Sequence, residues 1–176
     1  MSLESRVLRL MEDEHPGLAG RAAQGGLALL EKLYIRGVLS RRTKETARAV
    51  HAGIPVISVG NLTAGGTGKT PCIMKLASLL QKSGHCPAIL TRGYRIVADR
   101  ERIRVTQAMA GDEPYMMALK LPGVPVSAGR DRIVSAAAAK ALGADVLLLD
   151  DGFQYWRLAR DLDIVLIDST HPFGGG

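Results

Sequence analysis

The chain has 176 residues, 47% of them hydrophobic and 23% charged, enough apolar content to offset the entropy of ordering and to exclude disorder as the overall state. Lys and Arg number 23 against 17 Asp and Glu, a balance of +6 that suits anionic partners: nucleotides, phosphorylated lipids, a membrane surface or nucleic acid. Aromatic residues are only 4%, which counts against base stacking and hence against nucleic acid, and no apolar run approaches the roughly 18 to 20 residues of a membrane-spanning helix.

Residues 1 to 18 are charged throughout and predict a short polar helix ending at His15-Pro16-Gly17, with no secretory signal. Residues 20 to 50 predict a longer helix, with Leu27, Leu30, Tyr34 and Val38 on one face and Arg36, Arg41, Arg42, Lys44 and Arg48 crowding its second half. Two readings stand for it: an amphipathic helix packed on the domain with a solvated basic face, or a helix lying at an anionic membrane surface. Residues 1–50 therefore form a helical region separate from the remainder, 51–176.

From Pro55 the texture changes to strands alternating with helices. Pro55 to Val59 predicts a buried strand. A Gly- and Thr-rich loop follows, then a helix from about Pro71 to Ser83, with proline in its first turn and Gly84 at its end. Pro87 to Thr91 predicts a second strand and Arg102 to Thr106 an edge strand or hairpin. A helix runs from Gly111 to about Lys120. Val124 to Val126 predicts a short strand whose proline favours an edge or strand-end position. Gly129 to Leu142 predicts a helix, and Asp145 to Leu149 and Asp163 to Ile167 two more strands. Cys72 and Cys86 form no C-x-x-C pair and read as small buried hydrophobes. This alternation predicts an α/β fold: a mostly parallel sheet with helices on both faces. The chemically suggestive segments all follow predicted strands, at the edge where such sheets bind ligands. The last strand is followed by Gly174-Gly-Gly176 with no predicted capping helix, so the chain is expected to be the first part of a longer protein.

The central motif is Gly60-Asn-Leu-Thr-Ala-Gly-Gly-Thr-Gly-Lys-Thr70. It departs from the general phosphate-loop pattern at one site, Thr63 standing where the leading glycine is expected. Gly65, Gly66 and Gly68 still let the backbone aim its N–H groups at phosphate oxygens, and Thr67 lies among them. The following helix turns its positive end to the same anion. In this arrangement Lys69 reaches the β- and γ-phosphates of ATP and the Thr70 hydroxyl binds Mg²⁺. A second element, Leu147-Leu-Leu-Asp150-Asp151-Gly152, is an apolar strand ending in acid, as a metal-holding strand end requires. Adjacent residues of a strand point to opposite sides, so one of Asp150 and Asp151 is expected to face the Mg²⁺. No Asn-Lys-x-Asp signature for guanine is present.

Val59-Gly-Asn-Leu-Thr-Ala-Gly-Gly-Thr-Gly-Lys-Thr-Pro71, Thr91-Arg-Gly-Tyr94, Gly111-Asp-Glu-Pro114, Asp150-Asp-Gly-Phe-Gln154 and Arg160-Asp-Leu-Asp-Ile-Val165 with Pro172-Phe-Gly174 follow in that order. Together they resemble the tetraacyldisaccharide 4'-kinase family, from about Leu27 onward. The resemblance implies a P-loop kinase core over 51–176. It implies transfer of the ATP γ-phosphate, with Mg²⁺, to the 4'-hydroxyl of a lipid A disaccharide 1-phosphate. It also implies a peripheral place at the cytoplasmic face of the inner membrane, which favours the membrane-surface reading of residues 20 to 50.

On the same basis Gly65, Gly66, Thr67, Gly68, Lys69 and Thr70 are the nucleotide-binding residues, and Asp112 is the catalytic aspartate. Sequence alone leaves Asp112 equally readable as a helix cap. Glu113, Arg92 and Gln154 are further candidates, Glu113 beside the metal or lysine and Arg92 at a phosphate. The chain departs from the family where Tyr155 follows Gln154, a position usually held by histidine. Tyrosine cannot take up a proton near neutral pH as imidazole does. The family is nearly twice as long, and its second domain supplies a histidine partner to the catalytic aspartate. Two other classes weighed against the kinase are a nucleotide-switched regulator, for which metal-binding Cys or His clusters are lacking, and an inactive nucleotide-binding fragment.

Overall fold

A computed structural model of the chain describes residues 18–61, 68–92, 96–97 and 112–169. The expected helix over 1 to 18, the strand over 102 to 106 and the Pro172-Phe-Gly174 motif lie outside those residues, Leu18 excepted. The chain divides into two compact units, with the break between Ala47 and Arg48.

The first unit contributes α1, Leu18–Thr46, 29 residues long. Its polar and apolar residues separate along the helix more than around it. Leu30, Tyr34 and Val38 keep the expected spacing of four, but Leu29 and Leu33 fall outside that face, and Leu29, Leu30, Leu33, Tyr34, Ile35 and Leu39 are all exposed. The basic residues gather toward the C-terminal end, where the helix dipole favours cations. Arg41 donates to Glu45 at 2.8 Å one turn on. No helix among the described residues is long and apolar enough to cross a membrane.

Among the described residues the second unit holds a six-stranded sheet. Its strands are β1 (Val56–Asn61), β2 (Pro87–Thr91), β3 (Ile96–Val97), β4 (Val126–Ala128), β5 (Val146–Asp150) and β6 (Leu162–Leu166), in the order β3-β4-β2-β5-β1-β6. The run β4-β2-β5-β1-β6 is parallel, and only β3 is antiparallel, to β4. The helices are α2 (Lys69–Lys82), α3 (Asp112–Lys120) and α4 (Arg132–Ala141).

Alternation along the strands divides the core into two layers. Val59, Ile89 and Leu148 pack with Ile73 and Ala77 of α2 and Met117 and Ala118 of α3. Their neighbours Val56, Ala88, Leu90, Leu147 and Leu149 pack instead with Ala136 and Ala139 of α4. Helices therefore cover both faces, as the alternation predicts. The central strands β2 and β5 are buried at every position, whereas β6 lies at the sheet edge with Leu162 and Val165 exposed.

Two elements of the second unit differ from the sequence expectation for a clear physical reason. The strand predicted over 124 to 126 forms over 126 to 128, because Pro125 has no N–H for a ladder; its carbonyl accepts from Ile89 instead, at 2.8 Å. That strand is interior, since β3 covers its far side. The helix expected from Gly129 starts at Arg132, capped by Asp131, whose carboxylate accepts the Ile133 N–H at 3.0 Å.

Candidate active site

Because β1, β2 and β5 are parallel neighbours, their C-terminal ends lie along one edge of the sheet. Gly68, with φ of 79°, caps α2 in the left-handed region, a conformation that costs any residue with a Cβ. Gly68 has no side chain with which to cap the helix, so its first-turn N–H groups are not engaged by the cap residue. Gly65, Gly66 and Thr67 lie outside the described residues.

Lys69 and Thr70 make specific contacts across the edge. The Lys69 ammonium donates to Asn61 Oδ1 at 2.8 Å, at the end of β1, and lies 3.4 Å from Asp151 Oδ1, beyond β5. The Thr70 hydroxyl donates to Glu113 Oε1 at 3.1 Å. That bond joins the N-terminal turns of α2 and α3, and Asp112 lies in the same turn as Glu113. Asp112 is the first residue of α3 and is exposed. Asn61 was not singled out from the sequence, although it stands inside the Gly-rich motif.

The two acids after β5 occupy different environments. Asp150 ends the strand and is 7% exposed; it accepts the Thr91 hydroxyl at 2.9 Å. Burial pushes its carboxyl above the usual carboxylate range, the Thr91 bond opposes this, and the Glu113 and Asp151 carboxylates push it further up. Asp151 has φ 51° and ψ 45°, the left-handed region. The expected alternation of the two side chains does not apply, because the strand ends at Asp150 and the next residue turns. This turn, rather than strand geometry, presents Asp151 to Lys69. Gly152 follows in a 3₁₀ turn over Gly152–Gln154, where a Cβ would press on Ser58 and come within 2.7 Å of Leu149. Gln154 is exposed on that turn, and Arg92 is exposed just after β2.

Arg132 was missed from the sequence because an arginine in a helix's first turn ordinarily faces water. It is 4% exposed and its guanidinium donates to the carbonyl of Asp150 at 2.8 Å and of Asp151 at 3.3 Å. Burial lowers its pKa from the usual arginine value, with Asp150 and Asp151 opposing that effect. The Tyr155 ring lies 5.3 Å from the guanidinium carbon, and its hydroxyl donates to Asp131 Oδ1 and accepts the Arg132 N–H. Burial, then the Asp131 carboxylate, raises the Tyr155 pKa above that of free tyrosine, so the phenol stays a neutral hydrogen-bonding group.

Among the described residues no three His, Cys, Asp or Glu side chains converge as a cage for a metal ion. Mg²⁺ does not require one, because it keeps several waters and binds through one or two carboxylates plus substrate phosphates. The Thr70 hydroxyl with Asp151, Asp150 and Glu113 is an all-oxygen set of that kind. The electrostatic coupling of Asp150 to Glu113 and Asp151 is one a divalent cation would relieve. The donor set therefore fits the ion.

A profile of the family described as tetraacyldisaccharide-1-P 4'-kinase matches residues 24–176. The chain is 44% identical to a tetraacyldisaccharide 4'-kinase from Syntrophus aciditrophicus, over 100% of this chain and 50% of that protein. It is 44% identical to another from Anaeromyxobacter sp. strain K, over 93% of this chain and 46% of the relative. Among solved structures it resembles an apo form of LpxK from Aquifex aeolicus in complex with ATP, at 38% identity and a TM-score of 0.70 over 81% of this chain and 48% of that one. The chain thus spans about half the length of these relatives.

Proposed function

Because the chain belongs to the tetraacyldisaccharide-1-P 4'-kinase family, we propose that it carries the nucleotide-binding half of a lipid kinase. The enzyme transfers the γ-phosphate of ATP to the 4'-hydroxyl of a tetraacyldisaccharide 1-phosphate. The observation that carries this reading is the convergence of Lys69, Thr70 and Asp151 at the C-terminal edge of β1 and β5.

Phosphoryl transfer asks little covalent chemistry of a protein; positioning and charge stabilisation do most of the work. Lys69, already oriented by Asn61 and Asp151, meets the β- and γ-phosphate oxygens. The N–H groups at the head of α2, with Gly65, Gly66, Thr67 and Gly68, cradle the phosphates. Thr70 and Asp151 would hold Mg²⁺, with Asp150 behind them; the ion, when bound, would supply neutralisation of the phosphate charge. Asp112, at the start of α3, accepts the proton of the attacking 4'-hydroxyl. Glu113 holds Thr70, and Arg92 and Gln154 are placed to contact the ligand's rim.

Tyr155 takes no proton in this scheme, since its hydroxyl is engaged with Asp131 and Arg132. The exposed apolar residues and basic end of α1 support a peripheral place on an anionic membrane, at the cytoplasmic face of the inner membrane where such a substrate lies. The C-terminal half of the relatives' length supplies the rest of the cleft.

The test is transfer of labelled γ-phosphate from ATP to a tetraacyldisaccharide 1-phosphate by the full-length protein in the presence of Mg²⁺. Transfer is expected, and Lys69→Ala is expected to reduce it at least about a hundredfold, the usual scale for losing one charge-stabilising donor. Equal turnover by wild type and variant would overturn the assignment.

A further inference from the structure

The left-handed turn at Asp151 is gripped from two sides. Arg132, at the start of α4, donates to the carbonyls of Asp150 and Asp151. Arg160, just before β6, donates to the carbonyl of Gly152 at 2.9 Å and is itself held by Asp163 at 3.2 Å. Three consecutive carbonyls are thus taken by two guanidinium groups from elements far apart in sequence. We infer that Arg132 and Arg160 are positioning residues that lock the turn after β5, fixing the Asp151 carboxylate toward Lys69. This inference rests on the kinase reading for its consequence, though not for its geometry.

Three physical points carry it. A residue with a Cβ is unfavourable in the left-handed region, so its backbone tends to relax unless its surroundings hold it. The carbonyl contacts supply that hold, and guanidinium suits it because its rigid planar fork holds N–H donors in a fixed geometry toward two carbonyls, whereas an ammonium is a compact point charge on a flexible stem with rotatable donors. Arg132 is also too buried to meet a ligand at the site surface. Its role is therefore exerted through Asp150 and Asp151.

Tyr155 completes the device. It lies four residues beyond Asp151, its ring faces the Arg132 guanidinium, and its hydroxyl ties Asp131 to the Arg132 amide. The contacts form a closed circuit: the acidic turn leads to Tyr155, Tyr155 fixes the first turn of α4, and Arg132 from that turn returns to the acidic carbonyls. A side chain that holds a metal-binding carboxylate in place commonly changes metal affinity or activity by about ten- to a hundredfold when removed.

The experiment uses Arg132→Lys and Arg160→Gln in the full-length protein. Arg160 is partly exposed, so its variant is expected to fold even if the buried Arg132 variant is weakened. Two readouts apply to the folded fraction. The first is Mg²⁺-dependent ATP binding by calorimetry. The Mg²⁺ concentration for half-maximal binding is expected to rise about tenfold in each variant, with ATP binding in excess EDTA unchanged. The second needs no nucleotide: amide hydrogen exchange at residues 152 to 155 is expected to quicken about tenfold. Wild-type exchange in both variants overturns the inference. A weaker ATP affinity in EDTA with an unchanged Mg²⁺ requirement also overturns it, since it would mean direct contact with nucleotide. A lower melting temperature with both readouts at wild-type values reduces the arginines to ordinary structural supports and overturns it as well. Should wild type bind no Mg·ATP, the kinase reading falls, and hydrogen exchange alone still decides the positioning role.

Discussion

Thr91→Val tests whether the buried acid at the end of β5 depends on its neighbour on β2. Thr91 is 4% exposed and Asp150 7% exposed, and the hydroxyl donates to Asp150 Oδ2 at 2.9 Å. Valine replaces that hydroxyl by a methyl group of similar size, so the change removes a hydrogen bond and opens little space. A hydrogen bond to a charged group contributes about 1.5–3 kcal/mol, and a loss of that size is expected in urea unfolding at a pH above the raised pKa of Asp150, with EDTA present. Thr91→Ser is the control: it keeps the donor and loses one methyl, at about 0.5–1.5 kcal/mol. The sign with pH follows from the raised pKa of Asp150. Burial makes the ionised carboxylate costly in the folded state, and Thr91 offsets part of that cost. The penalty of the valine variant is therefore full above the folded-state pKa. It shrinks as pH falls toward the ordinary carboxylate range, where the neutral carboxyl needs the donor less. A Thr91→Val protein as stable as wild type above that pKa would show that the Asp150 carboxylate does not rely on this bond.

Asp112→Asn in the full-length protein is expected to lower kcat by about two to four orders of magnitude with ATP affinity unchanged; a fall in melting temperature with turnover retained would assign Asp112 to capping α3 instead. Gly152→Ala is expected to cost about 1–3 kcal/mol by overpacking against Ser58 and Leu149, measured by chemical denaturation. Ser58→Ala is expected to be neutral or stabilising, because the Ser58 hydroxyl is buried with no hydrogen-bond partner among the described residues, and to recover part of the Gly152→Ala loss in the double variant.

The elements that carry strong local signals were legible. β1 and α2 fall within two residues of expectation because an apolar β-branched run, a glycine loop, Gly68-Lys-Thr70 and Pro71 all act through neighbouring residues. The start of α4 had a local signal too: an aspartate just before an apolar-periodic stretch is a cap, and Asp131 outranks the glycine two residues earlier. β3 had none. A two-residue strand exists only because β4 offers an open side, and nothing in Ile96-Val97 records that neighbour.

The site divides along the same line. Lys69 and Thr70 belong to one continuous motif, so their roles can be read where they stand. The direction of Asp151 cannot be read from alternation, because alternation holds only while the strand continues. The Asp151-Gly152 pair is itself a turn signal, and it marks the point beyond which strand alternation no longer applies. Arg132 and Arg160 lie deeper still. Their acceptors are main-chain carbonyls, present at every residue and invisible as a sequence pattern, so only the fold reveals which carbonyls they reach. The motif thus supplies the cation and the hydroxyl, while the orientation of the opposing carboxylate is a tertiary property, set by two arginines whose acceptors no local pattern marks.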